Sequence, residues 1–101
     1  MGKLVRDLIP EIIRQNGGEP VTWQLPEEEI LSALTSKLLE EAEELRAAER
    51  NEQLEEAADA YEVLRTIAIT VGVSMEEVAS RAEQKRAERG GFDQRIWLES
   101  W

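Results

Sequence analysis

The sequence predicts an all-α protein: a four-helix bundle with a short extended patch made by its N- and C-terminal parts, assembled as an oligomer. Three observations carry this. Apolar residues recur at three- and four-residue spacing through most of the chain. Glycines stand where those stretches stop, at Gly17-Gly18, Gly72 and Gly90-Gly91. At 101 residues the chain can build one core but not two of ordinary size, so residues 1–101 read as a single domain. So small a domain exposes much of its surface, and a helical stripe wider than one core needs is expected to meet a second subunit.

The elements follow in order. Lys3 to Arg14 is amphipathic and predicts a short first helix, with Pro10 in its first turn and Gly17-Gly18 as its stop. Pro20 to Leu25 alternates and favours an extended piece. Pro26 and the acids Glu27 to Glu29 suit the start of a helix running to about residue 49, on which Ile30, Leu34, Leu38, Ala42 and Leu45 form the apolar stripe. Asn51 is placed to cap the next helix, which runs to about Val71. Leu54, Ala57, Ala58, Tyr61, Leu64 and Ala68 make one apolar side of it, and Ala60, Val63 and Ile67 widen the arc, so it should meet two partners. Gly72 ends it. Ser74-Met75-Glu76-Glu77 has the form of a capping box and opens a last helix reaching about Arg89. The tail from Phe92 to Trp101 carries Phe92, Ile96, Trp97, Leu98 and Trp101, and is expected to pack against residues 20–25 as a small hairpin-like patch.

Composition removes several classes of function. A net charge of −10, from 22 acids and 12 bases, opposes binding to nucleic acid polymers, which depends on Lys and Arg neutralising phosphates. It would equally repel a nucleoside triphosphate unless divalent cations lie between carboxylates and phosphates. With no cysteine and no histidine, disulfides, thiolate sites, the usual zinc sites and His-based triads are excluded. No apolar run approaches a membrane span and no secretory segment opens the chain, which leads us to expect a cytoplasmic protein without membrane contacts.

Acid runs on helices ordinarily mark a solvated face, and Glu43, Glu49, Glu52 and Glu62 are read that way. Others fall on the apolar arc. Glu41 lies seven after Leu34, three after Leu38 and four before Leu45; Glu44 stands three further on at the stripe's edge, and Glu40 flanks it. Glu56 is in line with Val63 and Ile67, and Asp59 sits three after Glu56 and four before Val63. A buried ionised carboxylate costs several kcal/mol, so each needs a cation or a proton. Lys37 and Arg65 could each pair with one acid. Two matched pairs brought face to face by an antiparallel hairpin suit a metal better. Oxygen ligands alone select Mg²⁺, with Mn²⁺ as an alternative. Such an ion acidifies a coordinated water and draws charge from phosphate oxygens, chemistry suited to splitting a phosphoanhydride.

The motif Glu40-Glu41-Ala42-Glu43-Glu44 with Glu56-Ala57-Ala58-Asp59 resembles that of the all-α nucleoside triphosphate pyrophosphohydrolases, the superfamily containing MazG, the all-α dUTPases and phosphoribosyl-ATP pyrophosphohydrolase. Leu54 to Asp59 is particularly similar to the phosphoribosyl-ATP branch. Lys3-Leu4-Val5-Arg6-Asp7-Leu8-Ile9-Pro10 and the segment Lys85 to Phe92 resemble the ends of a small MazG-like group, so the likeness extends over nearly the whole length. It implies Mg²⁺ held by Glu41, Glu44, Glu56 and Asp59, with Glu40 as a further ligand or a group orienting water; Glu40 and Glu41 are the catalytic candidates. It also implies cleavage between the α and β phosphates of a nucleoside triphosphate, giving monophosphate and pyrophosphate, by a homodimer or homotetramer with a house-cleaning role against non-standard nucleotides. Lys3, Arg6, Lys85 and Arg89 are candidates for the β and γ phosphates, ordinary ion pairing being the other role open to them. Trp23 is read as a packing residue, with stacking on a base as the alternative. Phosphoribosyl-ATP hydrolysis and a non-catalytic helical interaction module remain the competing functions.

Overall fold

The computed structural model describes residues 2–101, and among them the regular structure is entirely helical. Four α-helices follow one another: α1 (Ile9–Gln15), α2 (Glu27–Ala47), α3 (Gln53–Thr70) and α4 (Met75–Arg89). The fold is a hairpin of α2 and α3, which pack along each other, with α4 leaning only on α3 and α1 packed on no other helix. Four helices are therefore present, but within one chain they do not close into the expected bundle.

Helix α2 is built mostly from Glu, Leu and Ala, which lose little rotamer freedom in a helix. Its ends also match the helix dipole: Glu27, Glu28 and Glu29 stand in the first turn and Arg46 in the last. Leu34 is buried, while Ile30, Leu38 and Leu45 are half-buried. From α3 the inward residues are Ala60, Val63 and Ile67, half-buried, together with Ala68, the last residue of the other arc, which is buried. Of the two apolar arcs on α3, packing against α2 thus selects the one that carries Glu56 and Asp59. The stripe Leu54, Ala57, Ala58, Tyr61 and Leu64 is left exposed.

Asn51 does not cap α3. Residues Arg50–Glu52 form a single 3-10 turn, in which the Glu52 amide donates to the Glu49 carbonyl at 2.9 Å, and no side chain caps the N-terminus of α3. The tightened turn satisfies backbone groups that a side-chain cap would otherwise serve. At the far end Gly72 adopts φ 86°, a left-handed conformation, and lets the Val73 amide return to the Ala68 carbonyl at 2.9 Å. The capping box forms as read: Glu77 N donates to Ser74 Oγ at 3.1 Å and Ser74 N to Glu77 Oε1 at 3.0 Å.

The ends depart from expectation. Helix α1 begins at Ile9 with Pro10 in its first turn, as read, and the amphipathic residues before it, from Lys3 to Leu8, stay outside the helix because the Pro10 ring blocks its continuation toward the N-terminus. The expected patch is absent among the described residues: neither 20–25 nor 92–101 forms a strand. Two short strands on no supporting sheet bury too little to hold together. Phe92 and Trp101 are almost wholly exposed, at 96% and 101% of their reference area, and Trp23 too is turned to solvent rather than packed. No described helix is long and apolar enough to cross a membrane.

Candidate metal centre

The α2–α3 hairpin brings the sequence-selected acids together. Glu41 on α2 and Glu56 and Asp59 on α3 each offer an oxygen lying within 4.8 Å of the other two, and Glu40, Glu41 and Glu44 do the same along α2. Glu41 belongs to both groups. The cause is local: a residue seven from Leu34, three from Leu38 and four from Leu45 shares their direction, and an antiparallel partner faces it with the equivalent residues of α3.

Glu41 is the residue for which position costs most. It is 5% exposed, the sole buried charged residue among those described. Burial, foremost, and then repulsion from Glu44 push its carboxyl above the ordinary value of 4.5, while Lys37 works in the opposite sense. Lys37 Nζ stands 3.5 Å from Glu41 Oε1 and 3.4 Å from Glu40 Oε1. Arg6, from the segment before α1, donates to Asp59 at 2.6 Å. Arg65, the other base considered as a partner, pairs with Glu62 instead.

Five carboxylates thus face two cationic groups, and the deficit is visible in single atoms: Glu41 Oε2 and Glu56 Oε2 are buried with no hydrogen-bond partner. An unpaired buried carboxylate oxygen is disfavoured strongly enough to call for a cation or a proton. Ligand oxygens around Mg²⁺ lie roughly 3–4 Å apart, given bonds of about 2.1 Å, so the observed spacing is within a side-chain adjustment of a coordination shell. The donor set therefore fits a hard divalent ion.

The basic candidates divide. Lys3 lines an open cleft of about 240 Å³ with Leu4, Ser36, Lys37 and Glu40, beside the acids. Arg6 is held against Asp59. Lys85 instead lies along α4 with Val73, Val78 and Arg81, and Arg89 is exposed at the end of that helix, which does not touch α2. Sequence reasoning missed Ser36 at the cleft and the Arg6–Asp59 contact; a pair 53 positions apart leaves no trace in local spacing.

The fold and site define an all-helical protein with a carboxylate cluster inside a helical hairpin. Over 49 residues the chain is 53% identical to an uncharacterized protein of Mycolicibacterium smegmatis (strain ATCC 700084 / mc(2)155), a match taking in 48% of this chain and 50% of the relative. The chain thus matches about half the length of that relative. No family model and no solved structure matches it.

Proposed function

We propose that the protein is a Mg²⁺-dependent nucleoside triphosphate pyrophosphohydrolase of the MazG-like kind, splitting the α–β phosphoanhydride to give monophosphate and pyrophosphate. The observation that carries this reading is the pair of orphaned oxygens, Glu41 Oε2 and Glu56 Oε2, inside a cluster of five acids. Glu41, Glu44, Glu56 and Asp59 would hold Mg²⁺, or Mn²⁺ in its place. The ion supplies charge neutralisation for the polyphosphate and Lewis acidity at the scissile bond.

The chain's own residues supply the rest. Glu40, 36% exposed at its side chain and tied only to Lys37, is the carboxylate free to accept a proton from an attacking water. Lys37 holds Glu40 and Glu41 in place. Lys3 and Arg6, at the rim of the acids, would bind β and γ phosphates that the carboxylates would otherwise repel. Lys85 and Arg89 lie on a helix that packs only on α3 and would reach a polyphosphate from another copy in a homodimer or homotetramer. House-cleaning of non-standard nucleotides in the cytoplasm is the physiological role this reading carries.

The test is product analysis. Purified protein with Mg²⁺ is incubated with a panel of ribo- and deoxyribonucleoside triphosphates and with phosphoribosyl-ATP, and pyrophosphate is measured. Release from triphosphates, abolished by EDTA and by Glu41→Gln, is expected; release only from phosphoribosyl-ATP would reassign the substrate, and release from none would refute the reading.

A further inference from the structure

In a chain of net charge −10, the cleft between the N-terminal segment and α2 has the opposite balance. Lys3 and Leu4 line it from one side, and Ala33, Ser36, Lys37 and Glu40 of α2 from the other, so two ammonium groups face one carboxylate. Its volume of about 240 Å³ falls below the roughly 300 Å³ at which pockets for drug-sized ligands begin. It suits a small anion rather than a nucleoside.

The donors of the cleft are unengaged or only loosely held. The hydroxyls of Thr35, Thr66 and Thr70 turn back onto carbonyls of their own helices, whereas the Ser36 hydroxyl has no hydrogen-bond partner among the described residues. Lys3 belongs to no ion pair among those residues. Lys37 Nζ stands 3.4 Å from Glu40 and 3.5 Å from Glu41, against about 2.8 Å for a tight charge-assisted bond. Both glutamates are among the acids assigned to a divalent ion. Once their charge is shared with that ion, the Lys37 ammonium serves the cleft beside Lys3. Metal and anion then favour each other, as linked binding requires.

We infer that this cleft seats the pyrophosphate portion of a triphosphate and retains inorganic pyrophosphate after cleavage, with Lys3, Lys37 and the Ser36 hydroxyl as its donors. Three donors suit two adjacent phosphoryl groups, whereas a single phosphate engages fewer of them. Leu4 and Ala33, both half-buried, give the seat an apolar wall, beside which these contacts are stronger than in open water. The chemistry balances at its edge: the water oxygen bonds to the α phosphorus, the bridging oxygen leaves with the β phosphorus, and the water proton passes to Glu40, which borders the cleft. This inference rests on the pyrophosphohydrolase reading, and adds to it the place of the leaving group and inhibition by that product.

The experiment is calorimetric titration of magnesium pyrophosphate, and separately of orthophosphate, into the full chain in excess Mg²⁺. Wild type is compared with Lys3→Gln, Ser36→Ala and Ser36→Asp, all at exposed positions, with circular dichroism confirming the fold. Pyrophosphate should bind saturably, about 10-fold more weakly after Lys3→Gln or Ser36→Ala, and not measurably after Ser36→Asp. Orthophosphate should bind the wild type at least about 10-fold more weakly than pyrophosphate. Mg²⁺ alone should bind Ser36→Ala as it binds the wild type. No saturable binding of pyrophosphate, equal affinity in all four proteins, or orthophosphate bound as tightly would overturn the inference. Triphosphate hydrolysis is assayed alongside: activity that persists with any of those results overturns the seat and leaves the enzyme standing. Pyrophosphate bound as expected by a chain that hydrolyses no triphosphate keeps the seat and refutes the enzyme.

Discussion

The Arg6 guanidinium donates to Asp59 Oδ1 at 2.6 Å, joining the segment before α1 to the acid cluster on α3. Both side chains are substantially exposed, at 56% and 39%, so the pair is screened by water. Asp59 is itself one of the carboxylates that we assign to a metal ion, and Arg6 therefore competes with that ion for the same charge.

Replacing Arg6 by Gln should accordingly tighten Mg²⁺ binding in the absence of nucleotide, by up to about fivefold, the equivalent of at most ~1 kcal/mol for an exposed pair. The same change should raise the KM for a triphosphate. Calorimetric titration of the metal, read beside steady-state kinetics, separates the two effects; a Mg²⁺ affinity lowered by the substitution would contradict the competition.

Glu41→Gln should uncouple stability from metal. In the wild type, Mg²⁺ at 100 times its Kd is expected to add about 2.7 kcal/mol, a rise in Tm on the order of 10 °C for a domain of this size. In the variant, thermal melts with Mg²⁺ and with EDTA should nearly coincide. In EDTA at neutral pH the variant should be at least as stable as the wild type, since a buried charge with one unpaired oxygen has been removed.

The pH dependence has a definite sign. Burial raises the Glu41 carboxyl above its ordinary 4.5, with Glu44 adding to the rise and Lys37 opposing it. The native state then holds its proton to higher pH than the unfolded chain does. The corresponding stability is fully present below the unfolded value and is lost as pH rises through the raised native value. Denaturant titrations in EDTA across this window should show the wild type losing stability with pH where Glu41→Gln loses less.

Lys37 is 18% exposed at its side chain and lies between Glu40 and Glu41. Lys37→Met leaves Glu41 buried without its cation, and should cost about 1–3 kcal/mol in EDTA at neutral pH. Mg²⁺ should restore more stability to this variant than to the wild type, because the metal then carries the whole compensation. An equal gain in both proteins would show that the lysine and the metal do not share the site.

Ser74→Ala removes the cap of α4 and should cost about 1 kcal/mol. Hydrogen exchange of the Glu77 amide should accelerate, while Mg²⁺ affinity stays unchanged, because α4 does not touch α2.

The sequence made the central site legible for a specific reason. Glu41 repeats the direction of Leu34, Leu38 and Leu45, so any packing that buries those leucines brings the glutamate with them, and the structure does so. The Ser74–Glu77 box was equally readable because both partners lie within one turn. The choice between two apolar arcs on α3 was not readable: Leu54-Tyr61-Leu64 and Ala60-Val63-Ile67 have comparable patterns, and only the fit to α2 selects the second. The tail misled for a related reason. Phe92, Trp97 and Trp101 carry the hydrophobicity of packed residues, but a single chain offers them no surface.

The most direct measurement is calorimetric titration of Mg²⁺ into chelator-treated wild type, Glu41→Gln, Glu56→Gln and Asp59→Asn. A divalent site shared between α2 and α3 predicts saturable binding to the wild type and a loss of at least about 10-fold in each variant on either helix. Absence of saturable binding, or affinities unchanged by substitutions on α3, would contradict it.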